Sequence, residues 1–536
     1  MGIYLKNSDA YAMYKSETSR PYFVDKSLLL EELIPLVEEG NNFICITRPR
    51  RFGKTIAANM VGAYFSNACD SSEVFDQLKI SDSEKYKEHL NAHDVIYIDF
   101  SEIDDECTGY LEYIRNIKEL LREDLHAMHP EVTFRKSGSV AEDLKRVYAA
   151  TQRRFIFVLD EWDAIFHVPF FTEKDRKEYL RFLRSLLKGK PYVSLAYMTG
   201  ILPIAKYSSG SELNMFLEYT MATEERFSEY YGFTETEVDE LFGRYLLRTK
   251  EPQISRAGLK NWYDGYQTRG GKRIYNPRSV VAALSNNNLG SYWTSSGPYD
   301  EIFYYIEKNV ADIRDDLALM MAGEPVASRI QEYAATSTVL QSRDEIFSAM
   351  VVYGFLSYDN GKVFIPNKEL LEKFIDVFRK ESSLGYVYRL ARESDRMLRA
   401  TLAGDTDTME QIMEYAHNTE TPLLQYNNES ELSAIVNLVY LSARDTYDVQ
   451  REDKSGIGYV DYIFTPKQDR NATCIILELK VDDAPDEAIK QIIDKKYDLR
   501  FRGKLGEEPQ YTGKILAVGI SYYKNTKKHK CKVITL

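Results

Sequence analysis

Four short apolar runs in the first two hundred residues, each ending at a polar turn and each separated from the next by helical spacing, constrain this chain most. They are Asn42–Thr47 (NFICIT), Val95–Phe100 (VIYIDF), Phe155–Leu159 (FIFVL) and Tyr192–Met198 (YVSLAYM). Between them Lys54–Phe65 carries Ile56, Met60 and Tyr64 at helical spacing. Tyr110–Met128 sets Leu111, Ile114, Ile117, Leu121 and Leu125 along one face, and Lys174–Leu187 reads as a third helix. Strands apolar on both faces and joined by helices predict a parallel sheet covered on both sides. Sites in such sheets lie beyond the C-terminal ends of the strands.

That rule gathers three features at one edge. The first run opens into TRPRRFGKT (Thr47–Thr55), the third runs into Asp160-Glu161, and the fourth ends at Thr199-Gly200. Gly53-Lys54-Thr55 closes a phosphate loop of the GxxxxGK[ST] pattern, but Arg48 stands where that pattern has its first glycine. Arg48 lacks glycine's conformational freedom, and Pro49 pushes it toward extended backbone, so the loop must enter its turn differently. Arg48, Arg50 and Arg51 add positive charge where a triphosphate would sit. The expected ATP cradle is Arg48, Pro49, Arg50, Arg51, Phe52, Gly53, Lys54 and Thr55. Thr55 and Asp160 would hold Mg²⁺, Glu161 would polarise the attacking water, and Thr199 would sense the terminal phosphate. The competing reading of Asp160-Glu161 is a helix N-cap with an acidic first turn.

A chain of 536 residues exceeds one hydrophobic core. The expected division is an N-terminal ATPase-like domain over 1–222, a helical lid region over 223–340, a winged-helix-like and helical linker region over 341–420, and a C-terminal domain over 421–536. Thr234-Glu235-Thr236-Glu237 predicts a helix start with an acidic first turn. Asp264–Asn276 reads as a hairpin or loop whose Arg269, Lys272 and Arg273 either reach a phosphate or are ordinary surface charge. Residues 343–378 read as helix, short hairpin with Gly361 at its turn, and helix. No apolar run approaches the length that spans a bilayer, and five scattered cysteines without a CxxC pair suit a reducing cytoplasm. Net charge is −13, yet residues 490–536 carry twelve Lys/Arg against four Asp/Glu. A basic end on an acidic body suggests that any polyanion, DNA or RNA, is handled near the C-terminus.

That end holds a second chemical signal. Tyr459–Thr465 and Thr473–Lys480 read as strands joined by a polar turn, and alternation puts Glu478 and Lys480 on one face. The hairpin can bring Asp461 beside them. Two carboxylates and the Leu479 carbonyl make an oxygen-rich site suited to Mg²⁺ or Mn²⁺, with Lys480 placed to orient or deprotonate the nucleophile. The bland alternative is an ordinary Glu-Lys surface pair.

TRPRRFGKT, preceded by YFVDKS (Tyr22–Ser27) and followed by VLDEWD (Val158–Asp163), MTGILPIAK (Met198–Lys206) and WYDGY…YNPRSV (Trp262–Val280), resembles a bacterial AAA-ATPase-like family. Members carry a C-terminal PD-(D/E)XK nuclease-superfamily domain. The resemblance implies an ASCE-type P-loop fold with ATP as ligand, and within the family the arginine-containing loop is usual. It extends to the C-terminus, where a helix beginning at Glu431, the two strands, and a helix carrying Gln491 match the nuclease core order. Asp461, Glu478, Lys480 and Gln491 fall on its motif positions as the catalytic set, although Tyr459-Val460 precede Asp461 where the motif's name has Pro. The overall expectation is an α/β protein, a P-loop parallel sheet followed by a helical middle and an α/β nuclease-like domain. An ATP-dependent, Mg²⁺-dependent nuclease is one functional reading, with an oligomer left open. The other is a nucleotide-bound switch or scaffold that binds a partner or nucleic acid without cutting.

Overall fold

The first apolar run, Asn42–Thr47 (β1), forms the fourth strand of a five-stranded sheet ordered β2-β3-β4-β1-β5 in the computed structural model of the chain. The structure describes residues 2–204, 212–222, 224–293, 310–330, 340, 342–380, 382, 386–418, 429–455, 458–467, 469–502 and 511–536. The other strands are Asp94–Asp99 (β2), Phe155–Asp160 (β3), Val193–Gly200 (β4) and Leu217–Tyr219 (β5), and every pairing is parallel. All residues of β3 and β4 are buried, as a sheet covered on both faces requires. The short fifth strand was not expected. Its three residues, LEY, include Leu217 at 61% exposure and give too little pattern to read.

Lys54–Phe65 (α1) follows β1, Tyr110–Met128 (α2) precedes β3, and Glu173–Leu187 (α3) precedes β4. Thr172 caps α3 in a reciprocal box with Asp175, which fixes where that helix begins. Ile114, Ile117, Leu121 and Leu125 of α2 are buried as expected, but Leu111, the second residue of the helix, is 68% exposed. Ile56 likewise faces outward from α1, because it borders a cavity.

The chain divides into two compact units, Met1–Gly297 with Ala327–Glu369, and Pro298–Val326 with Leu370–Leu536. In the first, the helix Glu235–Arg248 starts at the anticipated Thr234–Glu237 capping box. Asp264–Asn276 contains a small hairpin pairing Tyr266–Gln267 with Arg273–Ile274. Ser357–Asp359 and Lys362–Phe364 pair across a turn in which Asn360 and Gly361 both have positive φ, the two-residue turn that matches strand twist.

The second unit is built on a mixed sheet. Tyr447–Ser455 (β6), Gly458–Pro466 (β7), Cys474–Val481 (β8), Ile515–Tyr523 (β9) and Lys528–Thr535 (β10) lie in that order, with β8 and β9 parallel and the other pairs antiparallel. The helix Glu429–Val439 (α4) precedes the sheet, and Tyr462 of β7 donates to the Ser433 carbonyl on it. The helix Pro485–Asp494 (α5) crosses β9 so closely that a Cβ at Gly519 would stand 2.5 Å from the Pro485 carbonyl oxygen. Among the described residues no helix is long and apolar enough to cross a membrane.

Candidate active sites

The loop from β1 to α1 solves its missing glycine by moving the left-handed steps downstream. Arg48 keeps to the sheet, its N–H bonded to the Gly200 carbonyl. Arg51 (φ 69°) and Gly53 (φ 89°) then make the turn. The Arg48 guanidinium points inward, only 1% exposed. Its Nη1 donates to the Thr47 carbonyl at 2.7 Å and the Tyr219 carbonyl at 2.8 Å, and its carbon lies 5.2 Å over the Tyr231 ring. This corrects one expectation, since Arg48 and Pro49 are not among the residues that line the adjoining cavity whereas Arg50, Arg51, Phe52, Gly53, Lys54 and Thr55 are. The Arg48 charge therefore braces β1 against β5 and does not face a phosphate.

The cavity encloses about 760 Å³ and opens at the strands' C-terminal edge. Lys54 Nζ, nearly buried, donates to the Arg48 and Pro49 carbonyls at 3.2 and 3.3 Å and lies 3.9 Å from Glu161. Glu161 has φ 47°, an uncommon conformation for a residue with a side chain. Desolvation pushes its pKa up to about 7 against the pull of Lys54. Asp160 lies beneath the cavity wall at 0% exposure, with one oxygen accepting from the Thr199 hydroxyl. Its Oδ2 is buried without a hydrogen-bond partner among the described residues, and burial raises its pKa while Thr199, Thr55 and Lys54 oppose the shift. A desolvated carboxylate oxygen with no donor, beside Thr55, fits a cation. Thr199 is a second correction. Its hydroxyl is given to Asp160 inside the fold and it does not line the cavity, so it cannot sense a phosphate directly without letting go.

The last acid of VLDEWD has a framework role. Asp163 accepts from the Ile201 and Leu202 amides at 3.0 and 2.8 Å, tying the turn after β4 to the end of β3. Gly200 is required there, because a Cβ would stand 2.4 Å from the Trp162 ring. Arg269, Lys272 and Arg273 do not line the cavity. They face Glu224, Glu225, Glu229 and Asp264. Among the lining residues that the sequence reading did not single out are an acid and a base. Asp99 ends β2 in register with Asp160, so the strand-end rule could have found it. Arg278, in the quoted YNPRSV, starts a helix capped by Asn276 and also lines the cavity, with nothing in its spacing to say so.

In the second unit Asp461, Glu478, Lys480 and Gln491 come together. Asp461 accepts from the Leu479 amide at 2.7 Å, and its own amide lies 3.4 Å from Glu478. The Gln491 amide donates to Glu478, and Lys480 Nζ is 3.6 Å from the same carboxylate. Glu478 is 3% exposed, and desolvation followed by the Asp461 charge pushes its pKa up to about 8 despite Lys480. A desolvated carboxylate beside a second, partly exposed one would be offset by a cation, so the donor set fits Mg²⁺ or Mn²⁺. Tyr497, unforeseen, closes the cluster with its hydroxyl 3.5 Å from Gln491 Nε2. The Glu431 side chain lies outside the described residues.

A family described as predicted AAA-ATPase matches residues 13–209, and one described as the PD-(D/E)XK nuclease superfamily matches residues 427–531. A curated relative, an "uncharacterized protein in vnfD 5'region" of Azotobacter chroococcum mcd 1, is 26% identical over 285 residues, 52% of this chain and 51% of the relative. The chain thus spans about half the length of that relative. Among solved structures, it is similar to a Walker-type ATPase of Pyrococcus abyssi at 13% identity and a TM-score of 0.38, over 65% of this chain and 93% of that one. It is also similar to the ORC2 protein of Aeropyrum pernix at 12% identity and a TM-score of 0.30, over 69% and 94%.

Proposed function

We propose that the chain, whose residues 13–209 match the predicted AAA-ATPase family and whose residues 427–531 match the PD-(D/E)XK nuclease superfamily, binds and slowly hydrolyses ATP and cleaves DNA or RNA in a Mg²⁺-dependent reaction. One observation carries this reading. In each unit a glutamate whose pKa is raised by desolvation lies within 4 Å of a lysine ammonium, Glu161 by Lys54 and Glu478 by Lys480.

In the first unit the Gly53–Thr55 amides, Arg50, Arg51 and Lys54 bind the phosphates, Thr55 and Asp160 hold the ion, and Glu161 takes a proton from water. A pKa near neutrality suits that last task. In the second unit Asp461, Glu478 and the Leu479 carbonyl are the ion's ligands. Gln491 orients Glu478, and Lys480 orients or deprotonates the nucleophile. Mg²⁺ supplies charge neutralisation at the phosphate and a more acidic water at either place. The four-segment division, with its lid and winged-helix-like regions, and a cytoplasmic location belong to the same proposal.

The test incubates the full chain with labelled single- and double-stranded oligonucleotides and Mn²⁺, with ATP, ADP or neither, while phosphate release is followed in parallel. Metal-dependent cleavage lost in Lys480→Ala, and slow phosphate release lost in Glu161→Gln, are the expected results. Bound ADP surviving size exclusion, with no cleavage at stoichiometric protein, would replace this reading with the nucleotide-bound switch.

A further inference from the structure

Tyr459 stands two residues before Asp461 on β7, so strand alternation puts the two on the same face of the sheet. Its surface is 66% exposed, more than that of Phe170 at 45% or Tyr415 at 40%. An exposed ring at the start of a strand is by itself ordinary. This one is anchored to the carboxylate cluster. The Tyr459 carbonyl accepts from the Tyr497 hydroxyl at 2.7 Å, that hydroxyl adjoins the Gln491 amide, and the amide grips Glu478. Tyr497 is 1% exposed, so the backbone bearing the Tyr459 ring is fixed relative to Glu478 while the ring itself stays in solvent.

The turn after α5 carries two exposed lysines between Asp494 and Asp498. A Cβ at Gly458 would stand 3.1 Å from Tyr497 Oη and 3.9 Å from Lys495 Cδ, which brings the stem of an exposed lysine beside the strand start. Lys496, also exposed, follows in the chain. Ammonium groups hold phosphates of paired and unpaired strands alike, through counterion release. An aromatic ring distinguishes the two forms. In a duplex each base already has stacked neighbours, whereas an unpaired base offers a π-face to any ring of either sequence.

We propose that Tyr459 is a stacking platform for an unpaired nucleobase beside the phosphate that a divalent ion at Asp461 and Glu478 would hold, and that it gives the C-terminal unit a preference for single-stranded nucleic acid. The proposal rests on the reading of that unit as a nucleic-acid site. Lys495 and Lys496 supply the strand-indifferent, salt-dependent part of the affinity.

Binding of a labelled short single strand and of its duplex to the full chain would be measured by fluorescence anisotropy, with Ca²⁺ in place of Mg²⁺, for the parent, Tyr459→Ala and Tyr459→Trp. Tyr459→Ala should weaken single-strand binding about tenfold with the salt slope unchanged, and shift duplex binding less than about twofold. Tyr459→Trp should keep the parent's preference. Equal weakening of both forms, or of neither, overturns the stacking role while leaving the nucleic-acid site standing. A parent protein that binds neither form removes that site, and the proposal with it.

Discussion

The two clusters meet opposite electrostatic problems. At the end of β3 a partly exposed glutamate faces a cation, with Glu161 3.9 Å from Lys54 and its pKa raised to about 7. On β8 the buried glutamate faces another acid, and Glu478 is raised to about 8 even with Lys480 at 3.6 Å. The first site is built on a turn, with Gly53, Arg50 and Arg51 lining a cavity of about 760 Å³. The second comes almost wholly from side chains on regular strands and one helix. A turn-built site can hold phosphates through shape and amides. A strand-built pair of carboxylates is relieved either by a cation or by one of them keeping its proton.

The sharpest way to break that comparison is to remove a ligand from the second site. Asp461→Ala should lower oligonucleotide cleavage by about a thousandfold or more while ATP binding stays within twofold of the parent, roughly the loss expected when a metal ligand goes. Partial cleavage with normal metal response would show that Asp461 is a bystander. Glu161→Gln is the matching change in the first site. Phosphate release should fall roughly a hundredfold, the usual contribution of a general base, and nucleotide affinity should hold because Lys54 and the loop amides are untouched. A variant that releases phosphate at the parental rate would assign the base elsewhere, with Asp99 the next candidate at the cavity wall.

Much of this was legible before any coordinates. Alternation placed Glu478 and Lys480 on one face because a period of two survives whatever packs around it. The four long strands were readable because strands buried on both faces leave unbroken apolar runs, and the Thr234 helix start because a capping box is local chemistry. What failed depends on direction. The letters TRPRRFGKT give three arginines but do not say that Arg48 turns toward Tyr219 and Tyr231 while Arg50 and Arg51 face the cavity. Thr199 reads as a sensor of the terminal phosphate because nothing in the spacing says that Asp160 has claimed its hydroxyl. Tyr497 joins its cluster through a turn after α5 in which Lys496 has φ 53°, which no periodicity announces.

Arg48 gives the comparison a structural test. If restoring the usual loop glycine merely repaired a phosphate loop, Arg48→Gly would speed turnover at little structural cost. Because the guanidinium is buried and bonded to two main-chain carbonyls, that change should instead destabilise the first unit by about 3 kcal/mol, from lost hydrogen bonds and the cavity left behind. Denaturant unfolding would register it. A stability change below about 0.5 kcal/mol, the range of ordinary surface substitutions, would mean the arginine's inward contacts carry nothing.

The smallest effect is also the most discriminating, because it separates the two glutamates by pH in protein kept in EDTA. Below pH 4.5 Glu478 is protonated folded or unfolded. Between pH 4.5 and about 8 the unfolded chain has released that proton while the folded chain still holds it, so stability falls as pH rises, and above about 8 the loss is complete. Glu478→Gln carries no proton to lose. Relative to the parent it should therefore gain at least about 1 kcal/mol between pH 5 and 8, roughly 2–4 °C in the Tm of that unit. For Glu161→Gln the same gain should be complete nearer pH 7, since Lys54 offsets part of the desolvation. Adding Mn²⁺ should reverse the order at Glu478 alone. Binding there needs the ionised carboxylate, so the parent regains stability with rising pH while the glutamine variant does not respond. If both variants respond to pH and to Mn²⁺ alike, the contrast between an acid beside an ammonium and an acid beside an acid is wrong.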